Sequence, residues 1–475
     1  MSFLLYDIVF LVVFTSFVVW FLYTRKHNLK REGLLYLYRT KFGMIAIDKV
    51  SSKYKKSLNW LQYVSIVCGY TLMAVMLFLF FQIVYIYIKY PSIVRTVKVP
   101  PIIPLVPYLP EIFKLDFLPP FYFTYWIVIL AVVAISHEFA HGIFARFYKV
   151  KVKSTGFGFL GPFLAAFVEP DEKQMNKRPI KQQLAVLSAG TFANVIIAVL
   201  FVFVFFLFSY LVFVPSGAVF NAYPFSDINL SQVTIVNGKE VNNLNSQGIL
   251  ANLNTTNENN LTKIYIGNKS YLLNNVFFAA NIDRIDSIVR VYDDLPAVNV
   301  GLSGAIIEFN EQKTSNIADF KEELLKYKPG DKITIKTKDQ NKVIKEYSLT
   351  LVQNQRGEPA IGVLLLNPST SGIKGKIYYV LNIIKEPGTY YESRFNTDLT
   401  DFIYDLLWWM IFINISVALV NMLPLGLFDG GRVFYLTVLH FTKSDEKAQK
   451  AFKVVTWILL LALGVIMIFW FFSTF

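Results

Sequence analysis

The fold class this sequence predicts is a polytopic α-helical membrane protein of about six transmembrane helices, interrupted by an extracytoplasmic α+β insert. Three observations carry that reading. Six stretches, roughly 3–23, 60–89, 121–147, 184–212, 403–423 and 454–474, are predominantly apolar, and a helix needs about 20 such residues to cross a bilayer. The 475 residues are 54% hydrophobic with a mean hydropathy of +0.45, too apolar for an ordinary soluble domain. Between the fourth and fifth stretches, residues 213–400 change to short apolar runs broken by Asn, Gly and Pro, the pattern of water-exposed strands and turns.

The first stretch, Phe3–Tyr23, lacks the basic start and small-residue cleavage site of a signal peptide and reads as a retained helix. Basic residues follow it (Arg25, Lys26, Lys30, Arg31), follow the third stretch (Arg146, Lys149, Lys151, Lys153) and precede the sixth (Lys443, Lys447, Lys450, Lys453). With alternating spans these groups share one face. The positive-inside rule assigns that face to the cytoplasm and leaves both ends of the chain and residues 213–400 outside. The net charge of +13 then reflects topology, and no nucleic-acid partner is expected. The single cysteine, Cys68, excludes a disulfide framework and a thiolate zinc site. Eight prolines in residues 91–120 exclude a regular helix there and predict an external loop.

The insert carries four Asn-x-Ser/Thr sequons, at Asn229, Asn254, Asn260 and Asn268. They suit an extracytoplasmic surface, and an Asn-rich loop also produces them by chance. Within residues 296–366 the order is Leu295-Pro296-Ala297…Gly301-Leu302, the strand Ala305–Asn310, a helical pattern at Ile317–Leu325, the turn Pro329-Gly330-Asp331 and the alternating strand Lys332–Lys336. This order resembles a PDZ domain. A weaker echo, with a strand and turn at Val233–Val241 and a hairpin at Lys263–Lys269, resembles a preceding PDZ-like unit. Such a pair either adds an extended peptide to a sheet edge or acts only as a steric gate. The expected organisation is N-terminal helices and Pro-rich loop (1–120), first part of a membrane core (121–212), first PDZ-like unit (213–290), second unit (291–370), linker (371–402) and second part of the core (403–475).

Chemistry concentrates in the third span. Two of the four histidines, His137 and His141, lie four residues apart with Glu138 beside the first. Residues i and i+4 share a helix face, so both imidazoles can grip one metal ion. Glu138 lies about 100° round the helix, suited to act on a metal-bound water without being a ligand. Ionisable groups within a membrane helix are costly and mark function. The bland alternative is a cluster near the cytoplasmic end, with Arg146 close by, that snorkels into water.

A catalytic zinc site wants three protein ligands and one open position. Asp429 is the candidate third ligand, in Asn421-Met422-Leu423-Pro424-Leu425-Gly426-Leu427-Phe428-Asp429-Gly430-Gly431, a broken element at the end of an apolar span. The alternative is that Asp429 only caps the helix that follows. Ser188-Ala189-Gly190-Thr191-Phe192-Ala193-Asn194 opens the fourth span. There Asn194 either donates a hydrogen bond to a developing oxyanion or serves helix packing.

Together, the membrane-embedded His-Glu-x-x-His, the Ser-Ala-Gly-x-x-x-Asn helix and the Asn-x-x-Pro-Leu-Gly-x-x-Asp-Gly-Gly segment resemble the site-2 protease family of intramembrane zinc metalloproteases. The motifs cover residues 121–212 and 403–441, and the external insert between them fits the family. Thr191 stands where the family often has Pro, and the first two spans are additional to its minimal core. The resemblance implies one catalytic zinc ion held by His137, His141 and Asp429, with Glu138 as acid/base. It also implies that Asn194 and Asn421 lie near substrate, and that peptide bonds are hydrolysed within or near transmembrane segments of membrane proteins.

A helical substrate must unwind before attack, because its peptide groups bond one another. The Gly-rich run Gly156–Phe163, with Gly158 and Gly161 as substrate-positioning candidates, is expected to form a hairpin or re-entrant loop whose edge pairs with the unwound chain; a plain interfacial turn is the alternative. The expected setting is a multi-pass protein of the cell membrane, active site toward the cytoplasm. Its partners are the lipid bilayer and a membrane protein substrate with a transmembrane helix. Competing classes are a metal transporter, which would need ionisable residues along a pore, and a non-catalytic PDZ-bearing adaptor with a structural zinc.

Overall fold

The computed structural model describes residues 3–32, 35–41, 43–91, 94, 100–113, 115, 118–160, 163–240, 246–253, 260–281, 288–339, 342–365, 386–395 and 397–474. The chain divides into two compact units, Met1–Phe208 with Asp401–Phe475, and Ser209–Thr400.

Among the described residues six helices are long and apolar enough to cross a membrane: Phe3–Thr24, Lys55–Lys89, Phe123–Phe147, Ile180–Val212, Asp398–Val420 and Asp445–Phe472. The expected spans correspond to them, but several helices begin earlier than apolarity alone indicated. The helix before the second span's apolar run starts at Lys55, and the last starts at Asp445. Charged first turns are invisible to a hydropathy window yet are good helix formers. In the first unit the elements are α1 (Phe3–Thr24), β1 (Leu29–Glu32), β2 (Leu35–Thr40), α2 (Met44–Lys53), α3 (Lys55–Lys89), α4 (Phe123–Phe147), β3 (Val152–Leu160), β4 (Phe163–Pro170), α5 (Ile180–Val212), α6 (Thr397–Val420), α7 (Asp429–Thr442) and α8 (Asp445–Thr474).

The basic segment after α1 is not plain loop. It folds into the hairpin β1–β2, which joins β3–β4 in one antiparallel sheet of order β1-β2-β3-β4. Arg39 on β2 reaches Glu169 on β4, Nε to Oε2, at 3.2 Å, and Ser154 donates to the same carboxylate at 2.8 Å.

The two spans outside the minimal core brace the catalytic ones. α4 begins after Pro119-Pro120 with no capping side chain of its own. Asp7 of α1, only 1% exposed, supplies the cap from another helix. It accepts from the N–H groups of Phe123 (2.7 Å) and Thr124 (2.9 Å) and from the hydroxyls of Thr124 and Tyr108 (both 2.5 Å). At its other end α4 closes with Lys149 in the left-handed region (φ 59°), Val150 N–H bonding Ala145 O at 2.9 Å and Lys149 N–H bonding Arg146 O at 2.9 Å. This pattern satisfies the last carbonyls of a helix. α3 approaches α5 so closely that a methyl group on Gly69 would lie 2.5 Å from Ser188 Oγ. It also bonds α7 through Tyr70 and Thr437, 2.6 Å apart. Within the Pro-rich region the described residues form one helical turn, Leu109–Ile112.

Among its described residues the second unit holds two six-stranded and two two-stranded sheets. One six-stranded sheet has, in spatial order, Phe225–Asn229, Ile288–Asp293, Lys269–Asn274, Leu261–Ile266, Ile235–Val236 and Lys239–Glu240. It closes over a core of Val236, Ile249, Ile264, Leu273, Phe278 and Val291. The other contains Ile344–Thr350, Lys332–Lys338, Ala305–Phe309, Phe213–Ala218 and Thr389–Ser393, with the helix Ile317–Leu324 packed on Ile306, Phe309 and Ile335. Strand Lys332–Lys338 alternates exposed or half-buried with buried residues, as its sequence pattern requires.

Two expected boundaries are corrected. A cut at 290/291 divides the strand Ile288–Asp293, which belongs wholly to the first sheet. The segment Phe213–Ala218, assigned to the first unit, pairs instead with Ala305–Phe309 and with Thr389–Ser393 from the expected linker. Pairing over such separations leaves no local mark in the sequence.

Candidate metal centre and catalytic site

α4, α5 and the start of α7 build the site. His137 and His141 stack one turn apart on α4, with their Nε2 atoms 3.0 Å apart. Asp429 Oδ2 lies 3.2 Å from Nε2 of His137 and 3.3 Å from Nε2 of His141. All three side chains are largely buried, with exposures of 11%, 12% and 20%. Tetrahedral zinc with bonds of about 2.0–2.1 Å sets its ligand atoms roughly 3.3 Å apart, so the donor spacing matches. Among the described residues this is the one group of three or more His, Cys, Asp or Glu side chains with ligand atoms within 4.8 Å of one another.

A second observation supports the fit. Gly190 of α5 faces the donors, and a methyl group there would lie 2.4 Å from Nε2 of His141 and 2.7 Å from Nε2 of His137. Its missing side chain leaves the room a bound ion needs.

The outer ring nitrogens are also held by α5. His141 Nδ1 lies 2.7 Å from Val186 O, so Nδ1–H donates to that carbonyl and Nε2 keeps its lone pair. His137 Nδ1 lies 3.2 Å from Nδ2 of the fully buried Asn194; a half-turn of this amide would bring Oδ1 there to accept from Nδ1–H and leave Nε2 its lone pair. Ser136 Oγ, 3.4 Å from Asn194 Oδ1, touches the same group. Val186, Gly190 and Asn194 are spaced by four residues, so one stripe of α5 supplies an orienting acceptor, a gap and an orienting amide. Asn194 thus sits behind the His137 ring, on the side away from the donor cluster. This placement suits orienting that ring, in place of the expected contact with an oxyanion.

The broken segment before α7 explains how Asp429 reaches two histidines from a distant part of the chain. Gly430 N–H bonds Asn421 O at 2.8 Å. Methyl groups on Gly430 and Gly431 would lie 2.3 Å from Met422 O and 2.2 Å from Leu425 O. Only glycines let the first turn of α7 fold onto residues 421–425 this closely. The helix cap is Phe428, and the Asp429 carboxylate points at the imidazoles. The capping alternative for Asp429 is therefore excluded. Asn421 is half-buried at the end of α6 and holds this turn through its carbonyl.

Glu138 is half-buried and turned toward the sheet. Its Oε2 accepts from the N–H of Val168 on β4 at 2.9 Å. One turn further on, a methyl group on Gly142 would lie 2.8 Å from Ile47 Cδ1 and 3.0 Å from Val168 Cγ1, so β4 and α2 press against this face of α4. The expected hairpin exists as β3–β4, but Gly158, expected to present its edge, does not. Gly158 lies in β3, paired with Leu37 on one side and Ala165 on the other. Gly161 lies outside the described residues. Among the described residues the unpaired edge of this hairpin is that of β4, and β1 forms the opposite edge of the sheet. Nothing in the Gly-rich run indicated this, because the strand that covers β3 comes from a segment more than a hundred residues earlier.

Residues 125–463 match the model of peptidase family M50, the family of the site-2 proteases. The chain belongs to peptidase family M50. The M50 match spans α4, both halves of the metal centre and the insert. The chain is also 48% identical over 77 residues to "Uncharacterized protein MJ0971" of Methanocaldococcus jannaschii. That match covers 15% of the chain, which spans about a fifth of the relative's length (20%). Three solved domains are similar to part of the chain. They are the PDZ domain of the SdrC-like protein Lmo2051 of Listeria monocytogenes (25% identical, 15% of this chain and 78% of that one), the PDZ domain of the SdrC-like protein Lin2157 of Listeria innocua (28%, 16% and 84%), and the second domain of the listeria protein Lin2157 (32%, 16% and 75%), each with a TM-score of 0.14. The M50 chain is thus a multi-pass membrane protein of a metalloprotease family, with His137, His141 and Asp429 gathered at one point.

Proposed function

We propose that this protein is an intramembrane zinc metalloprotease that hydrolyses peptide bonds within or near the transmembrane segments of membrane proteins. The observation that carries the proposal is the convergence of His137, His141 and Asp429 beside Glu138 in a chain of family M50. A zinc ion held by these three residues would supply Lewis-acid polarisation and a water acidic near neutral pH. Val186 and Asn194 hold the two rings so that both Nε2 atoms face the same point. Glu138, which is not part of the donor set, takes a proton on its carboxylate and returns it to the leaving amide nitrogen. Asn421, beside Asp429, contacts the substrate backbone.

The substrate is a membrane-spanning segment that unwinds before cleavage. Its extended part adds to the outer edge of β4, which pairs with no other strand among the described residues and runs to the catalytic helix. We place β1–β4 and α7 on the cytoplasmic side and Ser209–Thr400 outside, as a PDZ-like block that screens or binds external parts of substrates. Pairing of β2 with β3 supports this topology. The segments after the first and third spans must lie on one side of the membrane to form a common sheet. The proteolytic reading is preferred to metal transport because, among the described residues, the one close group of three ligand-type side chains gathers at a single place.

The test is cleavage of a single-span substrate by purified full-length protein. Cleavage lost on zinc chelation, restored by zinc and absent from Glu138→Ala is the expected result. Cleavage that survives chelation or the substitution contradicts the assignment.

A further inference from the structure

The hydrogen bond between Glu138 and Val168 joins the catalytic residue to the strand edge. In an antiparallel ladder, successive residues point their N–H and C=O groups alternately toward the partner and away from it. Val168 N–H points at α4, away from β3. Given the pairs Thr155 with Val168 and Phe157 with Ala166, the outward groups of β4 therefore belong to Leu164, Ala166 and Val168. Ala166 is half-buried and its neighbour Ala165 exposed, whereas Val168 is buried under α4 and Ile47. The edge is thus open along Ala166 and closed at Val168, where the occupant is the Glu138 carboxylate.

We propose that substrate unlatches its own catalytic residue. An extended peptide adding along Ala166 brings a carbonyl to Val168 N–H, displaces Glu138 Oε2 from that donor and leaves the carboxylate to turn toward the donor cluster. The inference rests on strand addition to β4 as proposed above, and adds that pairing and release of Glu138 are one event. It ties proteolysis to unwinding. A segment that stays helical has its carbonyls bonded internally, offers none to Val168 and leaves Glu138 parked. The atoms involved only exchange hydrogen-bond partners, so the same N–H is satisfied before and after.

Glu138→Gln and Glu138→Ala separate the two layers of this proposal. Both lack the carboxylate and so leave a bound peptide intact. The glutamine carbonyl keeps an acceptor for Val168 N–H, and alanine removes it. Full-length, zinc-loaded protein in lipid nanodiscs is titrated with an alternating valine–threonine decapeptide, and residue-resolved amide exchange is followed at Ala166 and Val168. Without peptide, Val168 N–H is expected to exchange at least tenfold faster in Glu138→Ala than in wild type or Glu138→Gln. Peptide is expected to protect Ala166 N–H in both variants and to bind Glu138→Ala several-fold more tightly than Glu138→Gln. Protection of Ala166 with equal affinities and unchanged Val168 exchange overturns the latch and leaves strand addition standing. No protection of Ala166 in either variant overturns strand addition and the latch with it.

Discussion

A methyl group on Gly190 would lie 2.4 Å from Nε2 of His141. Glycine at this position of α5 is a requirement of the metal centre, because real methyl carbons essentially never approach a ring nitrogen that closely. Gly190→Ala is expected to lower zinc occupancy at least a hundredfold while the membrane helices stay folded. Metal content and circular dichroism of the purified variant check this, and full occupancy would show that the ion sits elsewhere.

Asn194 is expected to act through His137, whose Nδ1 it contacts. Groups that orient a metal-bound imidazole typically contribute a factor of about 10–100 in affinity. Asn194→Ala is therefore expected to weaken zinc binding by about that factor, and Asn194→Asp, which can accept from Nδ1–H, to weaken it less. A competition titration with a chromogenic chelator measures both. Unchanged affinity in Asn194→Ala would return this residue to simple helix packing.

Asp7 predicts a role for the first span. Replacing a helix cap by alanine costs about 1 kcal/mol. Here the change also strips a bond from each of two hydroxyls, so Asp7→Ala is expected to destabilise the first unit by about 2–4 kcal/mol. Thermal unfolding in detergent should fall clearly, and Asp7→Asn should recover part of the loss. A variant as stable as wild type would mean that α1 is only a lipid-facing companion of α4.

The hairpin β1–β2 is held to β4 partly by charge. Burial opposes ionisation of Glu169, but the Ser154 hydroxyl and the Arg39 guanidinium outweigh it and hold the carboxyl below its ordinary range. A depressed carboxyl contributes stability above its unfolded pKa, about 4.3. That contribution fades as pH falls through the lower folded value. The protection factors of the amides in residues 35–40, which divide out the intrinsic pH dependence of exchange, should therefore fall below about pH 4 in wild type, and show a weaker pH response in Glu169→Gln. Equal acid responses in the two proteins would remove this link.

The sequence disclosed what repeats locally. Spacing alone put His137 and His141 on one face, and the apolar runs marked the six helices that, among the described residues, are long and apolar enough to cross a membrane. The broken element at residues 421–431 was legible too, and the structure explains its Gly430 and Gly431 through Met422 and Leu425. Hidden were the relations that join distant segments. No local pattern shows that residues 35–40 cover β3 and shift the open edge from Gly158 to β4, that Asp7 caps a helix beginning at Phe123, or that Phe213–Ala218 crosses into the second sheet of the insert. These depend on pairing and burial between residues far apart in the chain, where a single sequence carries composition but no register. Asn194 illustrates the same limit at the site. Its residue type fits an oxyanion donor or a histidine orienter equally well, and only its position behind His137 distinguishes them.

The central claim is that three side chains from two distant helices hold one ion while Glu138 stands apart. Zinc content of the purified full-length protein tests it most directly. One equivalent in wild type, essentially none in Asp429→Ala and in the double variant His137→Ala/His141→Ala, and one equivalent retained in Glu138→Ala is the predicted set. Full zinc in Asp429→Ala, or loss of zinc from Glu138→Ala alone, would contradict it.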